Sequence, residues 1–459
     1  MYQLIFLGLA TILAFSPLQK ENKTTLTLEI QNFDPDLLQL RDAFGSSPSL
    51  DALATHNGKF EFPLSIDKPC IRNFSYGSYL KRIFLCPGQT LQISFDGKNF
   101  AGTFKFGGSL AMENVLLDSI KNRISNVDYN YLYAQPIEKA IHYIDSSNHA
   151  ANQYFEKLVS SIQTNSVFND YTKASILYNF AYIKIMIIER QKGAKDPNHY
   201  AFLDQIKIEN ENYLEIPYYQ WFLDYYISME TSKRYDKLDS IKKRSPKANF
   251  DESLQVIGNL KNKKVREFSL TYAIDSRLQL EGLKNFETYY DYFKRNNSNP
   301  TYAEFVRKEY EQKQLLAPGK PAPEFTLKDV DGKLISLHDF KGKYVFLDFW
   351  QTLCLRSARE LPHYLKLHDD YKDENIAFVS ISVNEDENVW RNYVKEKKNV
   401  GISLRAEKYF ASEVYKSYQV PGLPGFVIID KEGKIIDPFA AKPSSKEIRE
   451  TLNQLLKSK

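Results

Sequence analysis

The chain has 459 residues, of which 43% are hydrophobic, so it is long enough to bury cores in roughly three domains. Its 61 lysines and arginines nearly balance 57 aspartates and glutamates, and no long block carries charge of one sign. A formal net charge of +4 spread in this way does not indicate a nucleic-acid-binding protein. The histidines are scattered, and no zinc-type cluster, phosphate loop or dinucleotide fingerprint occurs, so neither a metal site nor a cofactor is predicted.

Residues 1–22 have the pattern of a secretory signal peptide and leader. The apolar run from Leu4 to Phe15 has the length of a signal-peptide core and is too short to span a bilayer. Ala14-Phe15-Ser16 is an acceptable cleavage site, although Pro17 follows it and no lysine or arginine precedes the run. We therefore predict export to the periplasm or cell envelope. The alternatives are an uncleaved segment that associates with the membrane and a plain buried segment.

Residues 23–108 are predicted to form an all-β sandwich. Turn signals such as Pro87-Gly88, Asp96-Gly97 and Asn57-Gly58 separate short apolar or alternating segments, which are TLTLEI, KFEFPLSI, RIFLC, QTLQISF and GTFKF. Cys70 and Cys86 fall in this region. In an oxidising compartment the two are candidates for a disulfide, which would leave Cys354 free, and the alternative is that both are small buried hydrophobic residues.

Residues 109–316 are predicted to be α-helical. Apolar residues recur three and four positions apart in ENVLLDSIKNRI, YTKASILYNFAYIKIMIIER and QWFLDYYISME, and prolines separate the helical segments. No fixed repeat period is present. Such an array of antiparallel helices is either a spacer or a groove for a partner.

Residues 317–459 have the pattern of an α/β domain. It opens with a linker that contains three prolines and a glycine, which we expect to keep the backbone open. A hairpin with Asp331-Gly332 at its turn follows. Strands then alternate with helices as far as a second hairpin around Glu432-Gly433 and a closing helix from Ser445 to Lys457. This order predicts a mostly parallel sheet covered by helices on both faces.

Cys354 is the strongest candidate nucleophile of the chain. An apolar run of strand length, Tyr344 to Phe349, precedes it, and a helical pattern follows it, so Cys354 is expected where the strand ends and the helix begins. The first N–H groups of a helix lack internal partners and carry partial positive charge, which stabilises a thiolate. Arg356 and Arg359 add to this field, although Arg356 is also open to the interpretation of a solvated helix residue.

The stretch DFWQTLCLRSARELP resembles the active site of the thioredoxin superfamily, in particular its TlpA/ResA-like branch of envelope thiol–disulfide oxidoreductases. The pattern of that branch is roughly D-F-W-A-x-W-C-G-P-C-R-x-E-x-P. The preceding P-x-F-x-L…D-G-K…S-L-x-D-F-K-G-K is typical of the TlpA and AhpC/TSA-type redoxins, and the resemblance extends over residues 318–459. It implies a thioredoxin fold and exchange between thiols and disulfides. The matching residues of the motif are Asp348, Trp350, Cys354, Arg359, Glu360 and Pro362.

Ser357 stands where the resemblance places the second, resolving cysteine. A lone thiolate can attack a disulfide and form a mixed disulfide, but another thiol must then release it. In the family, the acid matched by Asp348 lies beneath the cysteine pair and moves a proton during resolution. Here Asp348 is either a proton acceptor for Cys354 or an inherited residue without that role, and burial would raise its pKa.

The segment Leu423-Pro424-Gly425 resembles the cis-proline loop of the family. The resemblance implies that this loop lies against the active cysteine and that its backbone pairs with an extended substrate segment. Gly425 replaces the usual threonine or alanine, which we expect to loosen that pairing. Trp350 is a candidate for substrate contact or for packing that supports the loop.

Three functions remain open from the sequence. The first is an envelope thiol–disulfide oxidoreductase that acts through Cys354 alone on protein or small-molecule thiols and disulfides. The second is a catalytically inactive thioredoxin-fold scaffold. The third is a thiol peroxidase, which ranks last because Gln351 stands three residues before the cysteine, where peroxiredoxins have threonine or serine.

Overall fold

A computed structural model of the chain describes residues 24–34, 38–41, 53–55, 59–64, 66–77, 79–125, 127–190, 196–243, 247–283, 286–383, 386–397, 401–408, 412–420 and 422–457. The predicted signal peptide and the Asn57-Gly58 turn lie outside these residues. No helix of the described ranges is long and apolar enough to cross a membrane.

The N-terminal strands form two sheets. The first has the order β3-β4-β1-β7-β8 and the second the order β2-β5-β6. The ring centroids of Phe74 in the second sheet and Phe95 in the first lie 6.2 Å apart. The sequence patterns predict β1, β4, β6, β7 and part of β8, but Gly102 and Thr103 of the predicted GTFKF strand lie in a short helix instead. Strands β2, β3 and β5 were not predicted. The bounds are β1 Thr24–Gln31, β2 Leu38–Arg41, β3 Leu53–Thr55, β4 Lys59–Leu64, β5 Cys70–Tyr76, β6 Tyr79–Leu85, β7 Thr90–Asp96 and β8 Lys105–Gly107, with a short helix α1, Phe100–Thr103, before β8.

The middle of the chain is helical, as its periodicity predicts. One hydrophobic cluster runs from Leu26 to Val306, so the N-terminal sheets and these helices share a core. The helices are α2 Ala111–Ser125, α3 Tyr129–Ala134, α4 Ile137–Ser161, α5 Ser166–Arg190, α6 Pro217–Asp236, α7 Ser240–Lys243, α8 Ala248–Gly258, α9 Lys263–Glu281, α10 Phe286–Asn296 and α11 Pro300–Gln314, with 3-10 helices at Pro197–Gln205 and Glu211–Tyr213.

The proline-rich linker is not open, contrary to the expectation from its composition. Its backbone pairs with the C-terminal hairpin: the Gly319 N–H donates to the Ile435 carbonyl at 2.7 Å, and the Ile435 N–H donates to Lys320 at 2.8 Å. The Ala322 N–H donates to the Gly433 carbonyl at 2.9 Å. Prolines remove donors, but the remaining N–H groups suffice to hold the segment in place.

The C-terminal part is a mixed sheet with helices, rather than the mostly parallel sheet that the sequence suggests. Its strand order is β10-β9-β13-β12-β11-β14-β15. Only the central strands β11, β12 and β13 are parallel to one another, and the other pairings are antiparallel. β13 was not predicted, because it is only four residues long. The bounds are β9 Thr326–Asp329, β10 Leu334–Ser336, β11 Tyr344–Trp350, α12 Leu355–Tyr371, β12 Ile376–Ser382, α13 Glu387–Glu396, β13 Ile402–Arg405, α14 Glu413–Ser417, β14 Gly425–Ile429, β15 Ile435–Asp437 and α15 Lys446–Lys457, with a 3-10 helix at Leu337–Phe340.

This part has its own buried clusters on the two faces of the sheet. Side chains alternate along β11, so that Val345, Leu347 and Phe349 join one cluster while Phe346 joins the other. Every residue of β11 is buried, as expected for a central strand. Packing on both faces therefore holds the central strand in place, and the motif residues lie where this strand ends.

Candidate functional site

Cys354 lies between the central strand and the helix that follows it, as its position in the sequence predicts. β11 ends at Trp350, a short turn follows, and Cys354 is the N-cap residue of α12. Its carbonyl accepts the N–H of Ala358 at 2.9 Å, the first bond of the helix. The thiol is partly exposed. A nucleophile in this place has a fixed backbone and access to solvent.

The surroundings of Cys354 favour its thiolate. Partial burial by itself raises the pKa of the thiol, but the Ser357 hydroxyl, the backbone N–H groups of Ser357 and Arg356, and the Arg356 charge outweigh it. The net result is a pKa below the ordinary value of 9.0. The Cys354 side chain does not cap the helix with regular hydrogen-bond geometry, so these groups act on the sulfur through proximity and charge. Arg356 is exposed to solvent, and its charge also lowers the pKa of Cys354. It is therefore both a solvated helix residue and a contributor to the field at the thiol.

Ser357 lies on the buried side of the first turn of α12, facing the sulfur. Its side chain is buried, and among the described residues its hydroxyl meets no partner with regular hydrogen-bond geometry. A hydroxyl in this position can donate to a thiolate but cannot form a disulfide. The chemistry of the motif therefore differs from that of a dithiol pair at this one atom.

Asp348 is buried within β11, six residues before the cysteine. Burial, together with the charge of Glu360, raises the pKa of its carboxyl to about 8. One of its oxygens, Oδ1, has no hydrogen-bond partner in the described part of the chain. The same is true of the hydroxyl of buried Tyr364, whose pKa is raised by burial and by the charge of Asp348. Asp348 thus holds a proton near neutral pH, as its sequence context suggests.

The loop around Pro424 lies against the cysteine. The Leu423–Pro424 peptide bond is cis, as the resemblance implies, and the Cys354 thiol lies 3.6 Å from the Leu423 carbonyl oxygen, to which it donates. Gly425 begins β14 and pairs with Phe349 of β11. A Cβ atom at Gly425 would fall 2.4 Å from Cγ1 of Val420, so the valine occupies the space that a larger residue would need. The loop therefore has no room for a side chain larger than that of glycine at this position.

Trp350 does not face a substrate cleft. It is only 5% exposed and packs in a small cluster with Trp390 and Val394, its ring 5.3 Å from that of Tyr393. Of the two sequence interpretations, the structure supports packing and contradicts direct substrate contact. The physical reason is that Trp350 is still a residue of the fully buried strand.

Cys70 and Cys86 are both free, buried thiols, so the disulfide is not formed in this structure. Cys70 belongs to β5, and Cys86 directly follows β6. Burial raises the pKa of Cys70 to about 11 and also raises that of Cys86. Both therefore fit the alternative of small core residues, and Cys354 is the one thiol with a lowered pKa.

Two exposed leucines beside the cysteine, and a groove along the neighbouring loop, were not predicted from the sequence. Leu353 and Leu355 are 83% and 76% exposed on either side of Cys354. A groove of about 500 Å³ lies along the Pro424 loop and reaches Leu280 at the end of α9. The signal for Leu355 was present, because a large apolar residue stands where the resemblance has glycine. No local pattern could have placed Leu280 there.

Comparison with known proteins finds matches to the C-terminal part of the chain. The AhpC/TSA family matches residues 318–437. The thiol-disulfide oxidoreductase ResA of Bacillus cereus is 32% identical over 146 residues, which are 32% of this chain and 83% of that protein. ResA of Bacillus subtilis is 30% identical over 141 residues, 31% of this chain and 77% of that protein. A crystal structure of the thioredoxin domain of a thiol-disulfide oxidoreductase from Bacteroides vulgatus is 31% identical and covers 31% of this chain and 99% of its own, with a TM-score of 0.29.

Proposed function

The chain belongs to the AhpC/TSA family, with the ResA thiol-disulfide oxidoreductases among its relatives, and on this premise we propose that it performs thiol–disulfide exchange through Cys354 alone. The observation that carries the proposal is a partly exposed thiol with a lowered pKa at the start of α12, with a serine hydroxyl at the position of the resolving thiol. Its substrates are proteins or small molecules that contain thiols or disulfides.

The proposed reaction has two steps. The Cys354 thiolate attacks one sulfur of a disulfide, a new S–S bond forms, and the other sulfur leaves as a thiolate. An external thiol then attacks the mixed disulfide and releases Cys354 as a thiolate, and this external thiol is the reductant in the overall balance. The N-terminal N–H groups of α12 and the Ser357 hydroxyl stabilise the negative sulfur before the first step and after the second.

The Pro424 loop and Asp348 have proposed supporting roles. The Leu423 carbonyl oxygen accepts a hydrogen bond from the neutral Cys354 thiol at 3.6 Å, and the neighbouring loop backbone receives the substrate segment. Asp348, with a pKa of about 8, either exchanges a proton with the site or serves no catalytic purpose. The peroxidase alternative is not favoured, because its required residues are missing before the cysteine.

The proposed place of action is the periplasm or cell envelope. This proposal rests on the signal-peptide pattern of residues 1–22, and an uncleaved segment would add an association with the membrane. We therefore expect the physiological partners to be envelope thiols and disulfides.

The reduction of insulin by dithiothreitol tests the single-cysteine mechanism. We expect the wild-type protein to accelerate it weakly, Ser357→Cys to gain activity because a resolving thiol is restored, and Cys354→Ala to be inactive. Ser175→Cys, which places a new thiol in buried α5, is the matched control and should gain nothing. Insulin turnover by the wild type at the rate of an ordinary thioredoxin would contradict the proposed role of Ser357.

The scaffold alternative is separated by alkylation of the thiol as a function of pH. Under our proposal, iodoacetamide labels Cys354 with a pKa below 9.0, and Ser357→Ala raises that pKa because one donor to the thiolate is lost. An ordinary or raised pKa in the wild type would favour the scaffold.

A further inference from the structure

The three most exposed large hydrophobic side chains of the described residues either flank the thiol or line the groove along the Pro424 loop. They are Leu353, Leu355 and Leu280, with exposed fractions of 83%, 76% and 72%. Leu353 and Leu355 flank Cys354, whereas Leu280 belongs to α9 in the helical part of the chain. Exposed apolar side chains that cluster around one site indicate a surface that is covered by a partner.

One of these leucines, Leu280, lines a groove along the Pro424 loop. It has a volume of about 500 Å³, and its lining includes Leu280, the loop residues 422–425 and the ring of Phe439. Leu423 is part of its wall, and the Leu423 carbonyl oxygen lies 3.6 Å from the Cys354 sulfur, so the groove lies next to the thiol. The helical part of the chain therefore supplies a side chain to the surface next to the nucleophile.

The charge of the groove is positive. Arg356, Arg359 and Lys442 line it, and Glu360 is the acid among the described lining residues. Glu360 already accepts hydrogen bonds from the Ser444 N–H at 3.0 Å and the Ser444 hydroxyl at 2.9 Å, and it lies 3.8 Å from Lys442. Arg356 and Arg359 are exposed and have no ion-pair partner within the described ranges. Their charge is available to an acidic occupant.

On the basis of the proposed function, we propose that this groove binds an extended protein segment with apolar residues beside its disulfide-bonded cysteine and acidic residues beyond them. Leu280 in the groove and the two leucines beside the thiol would cover the apolar residues, and Arg356 and Arg359 would pair with the acidic ones. A protein segment fits better than a small polar thiol compound, because such a compound leaves the leucines exposed. Substrate choice would then depend on the helical part of the chain through Leu280.

Peptide disulfides with a 2-thiopyridyl leaving group test the proposal. The Cys354 thiolate attacks the peptide sulfur, the peptide–Cys354 disulfide forms, and pyridine-2-thione leaves and is measured by absorbance. The first peptide, the acidic apolar one, carries leucine beside cysteine and two glutamates beyond the leucine. The second has lysines in place of the glutamates, and the third has serine in place of the leucine. Rates are divided by the rate with 2,2′-dithiodipyridine, and Cys354→Ala supplies the blank.

We expect the acidic apolar peptide to react roughly fivefold faster than its basic counterpart in low salt, a preference that salt reduces. Leu280→Ser should lower the normalised rate of the leucine peptide roughly fivefold and leave the order of acidic and basic peptides unchanged. Arg359→Gln should reduce the preference for glutamate. Leu334→Ser is the matched control, because Leu334 is 60% exposed but lies on β10, outside the groove.

The outcomes separate this inference from the proposed function. A wild-type protein that does not react with 2,2′-dithiodipyridine has no active thiolate, and the proposed function itself fails. A protein that reacts with it but treats all peptides alike, or whose peptide rates are unaffected by Leu280→Ser, refutes the groove proposal only. Faster reaction with the pyridyl disulfide of glutathione than with the acidic apolar peptide would likewise overturn it in favour of a small-molecule substrate.

Discussion

Two titratable side chains of the motif have opposite environments. Cys354 is partly exposed at the start of a helix, and donors near its sulfur lower the pKa of the thiol. Asp348 is enclosed in the central strand, and burial raises the pKa of its carboxyl to about 8. Compared with ordinary groups of the same kind, the ionised form is therefore stabilised at the thiol and destabilised at the carboxyl. Both directions follow from the position of each residue relative to the end of β11.

The buried carboxyl predicts a pH-dependent cost in stability. Between its ordinary pKa of 3.8 and the folded value of about 8, the folded chain binds more protons at Asp348 than the unfolded chain. The free energy of unfolding therefore falls as pH rises through this window. Asp348→Asn removes this titration. The free energy of unfolding of the variant minus that of the wild type should therefore increase by roughly 2–5 kcal/mol from pH 4 to pH 8.

Urea unfolding at a series of pH values measures this difference. Asp331→Asn, at an exposed turn, is the control and should run parallel to the wild type at every pH. A difference between Asp348→Asn and the wild type that is the same at pH 4 and pH 8 would show that Asp348 is ionised in the folded chain.

The loop that faces the cysteine is fitted around a glycine. The Val420 methyl group fills the space next to Gly425, and the Gly422 carbonyl oxygen lies 3.1 Å from a Cβ placed at Gly425. Gly425 must also remain in register with Phe349, because it starts β14. The loop cannot shift without affecting the strand that is paired with the motif strand.

Gly425→Ala should therefore destabilise the protein by about 1–3 kcal/mol through overpacking. Gly422→Ala is a matched control in the same loop, because no atom lies within 4 Å of a Cβ there and its φ is not positive. It should change stability by no more than about 0.5 kcal/mol. In a double-mutant cycle, Val420→Ala should recover part of the loss from Gly425→Ala. Additive losses would show that the clash with Val420 is not the cause.

The sequence predicts these elements where a long apolar period or a strong turn signal exists. The step from strand to Cys354 to helix could be located because the period changes there from a buried strand to a helix. The face that α12 buries was not located from the sequence; its buried residues are Ser357, Tyr364, Leu367 and Tyr371. The short strand β13 and the N-terminal strands β2, β3 and β5 lack a pattern that distinguishes them from loops.

The redoxin part and the helical part of the chain meet at Phe439. A Cβ at Gly282 would fall 2.6 Å from the ring of Phe439, so the end of α9 lies directly against it. The ammonium group of buried Lys313 lies 5.1 Å from the centre of the same ring. The Gln419 side chain donates to the Gln312 carbonyl at 2.6 Å. These contacts fix Leu280 beside the groove.

Phe439→Ala should loosen this interface. Loss of the ring removes support from the ends of α9 and α11, so we expect amide hydrogen exchange in residues 275–283 and 310–316 to accelerate roughly tenfold. Exchange in β11 and β12 should change little. Tyr393→Ala, a half-buried aromatic beside Trp350, is the control and should leave α9 unaffected. Unchanged exchange in α9 after Phe439→Ala would contradict a role for the ring in joining the two parts.

The interface could not be predicted from the sequence. Nothing near Gly282, Leu280 or Phe439 indicates a contact, because their patterns are those of a helix end and a loop. The shared core of the N-terminal sheets and the helices was also missed, since each region has a periodicity of its own. Local periodicity predicts elements, whereas contacts between distant segments depend on tertiary packing.

The pairing of the linker with β15 has a consequence for self-association. A strand at the outer edge of a sheet presents unpaired N–H and C=O groups, to which another chain can add a strand. Here the chain's own residues Gly319 to Ala322 occupy that edge. Pro318, Pro321 and Pro323 carry no N–H, so the added segment is a poor template for a further strand. The segment that joins the two parts therefore also protects the β15 edge of the redoxin sheet against edge-to-edge aggregation.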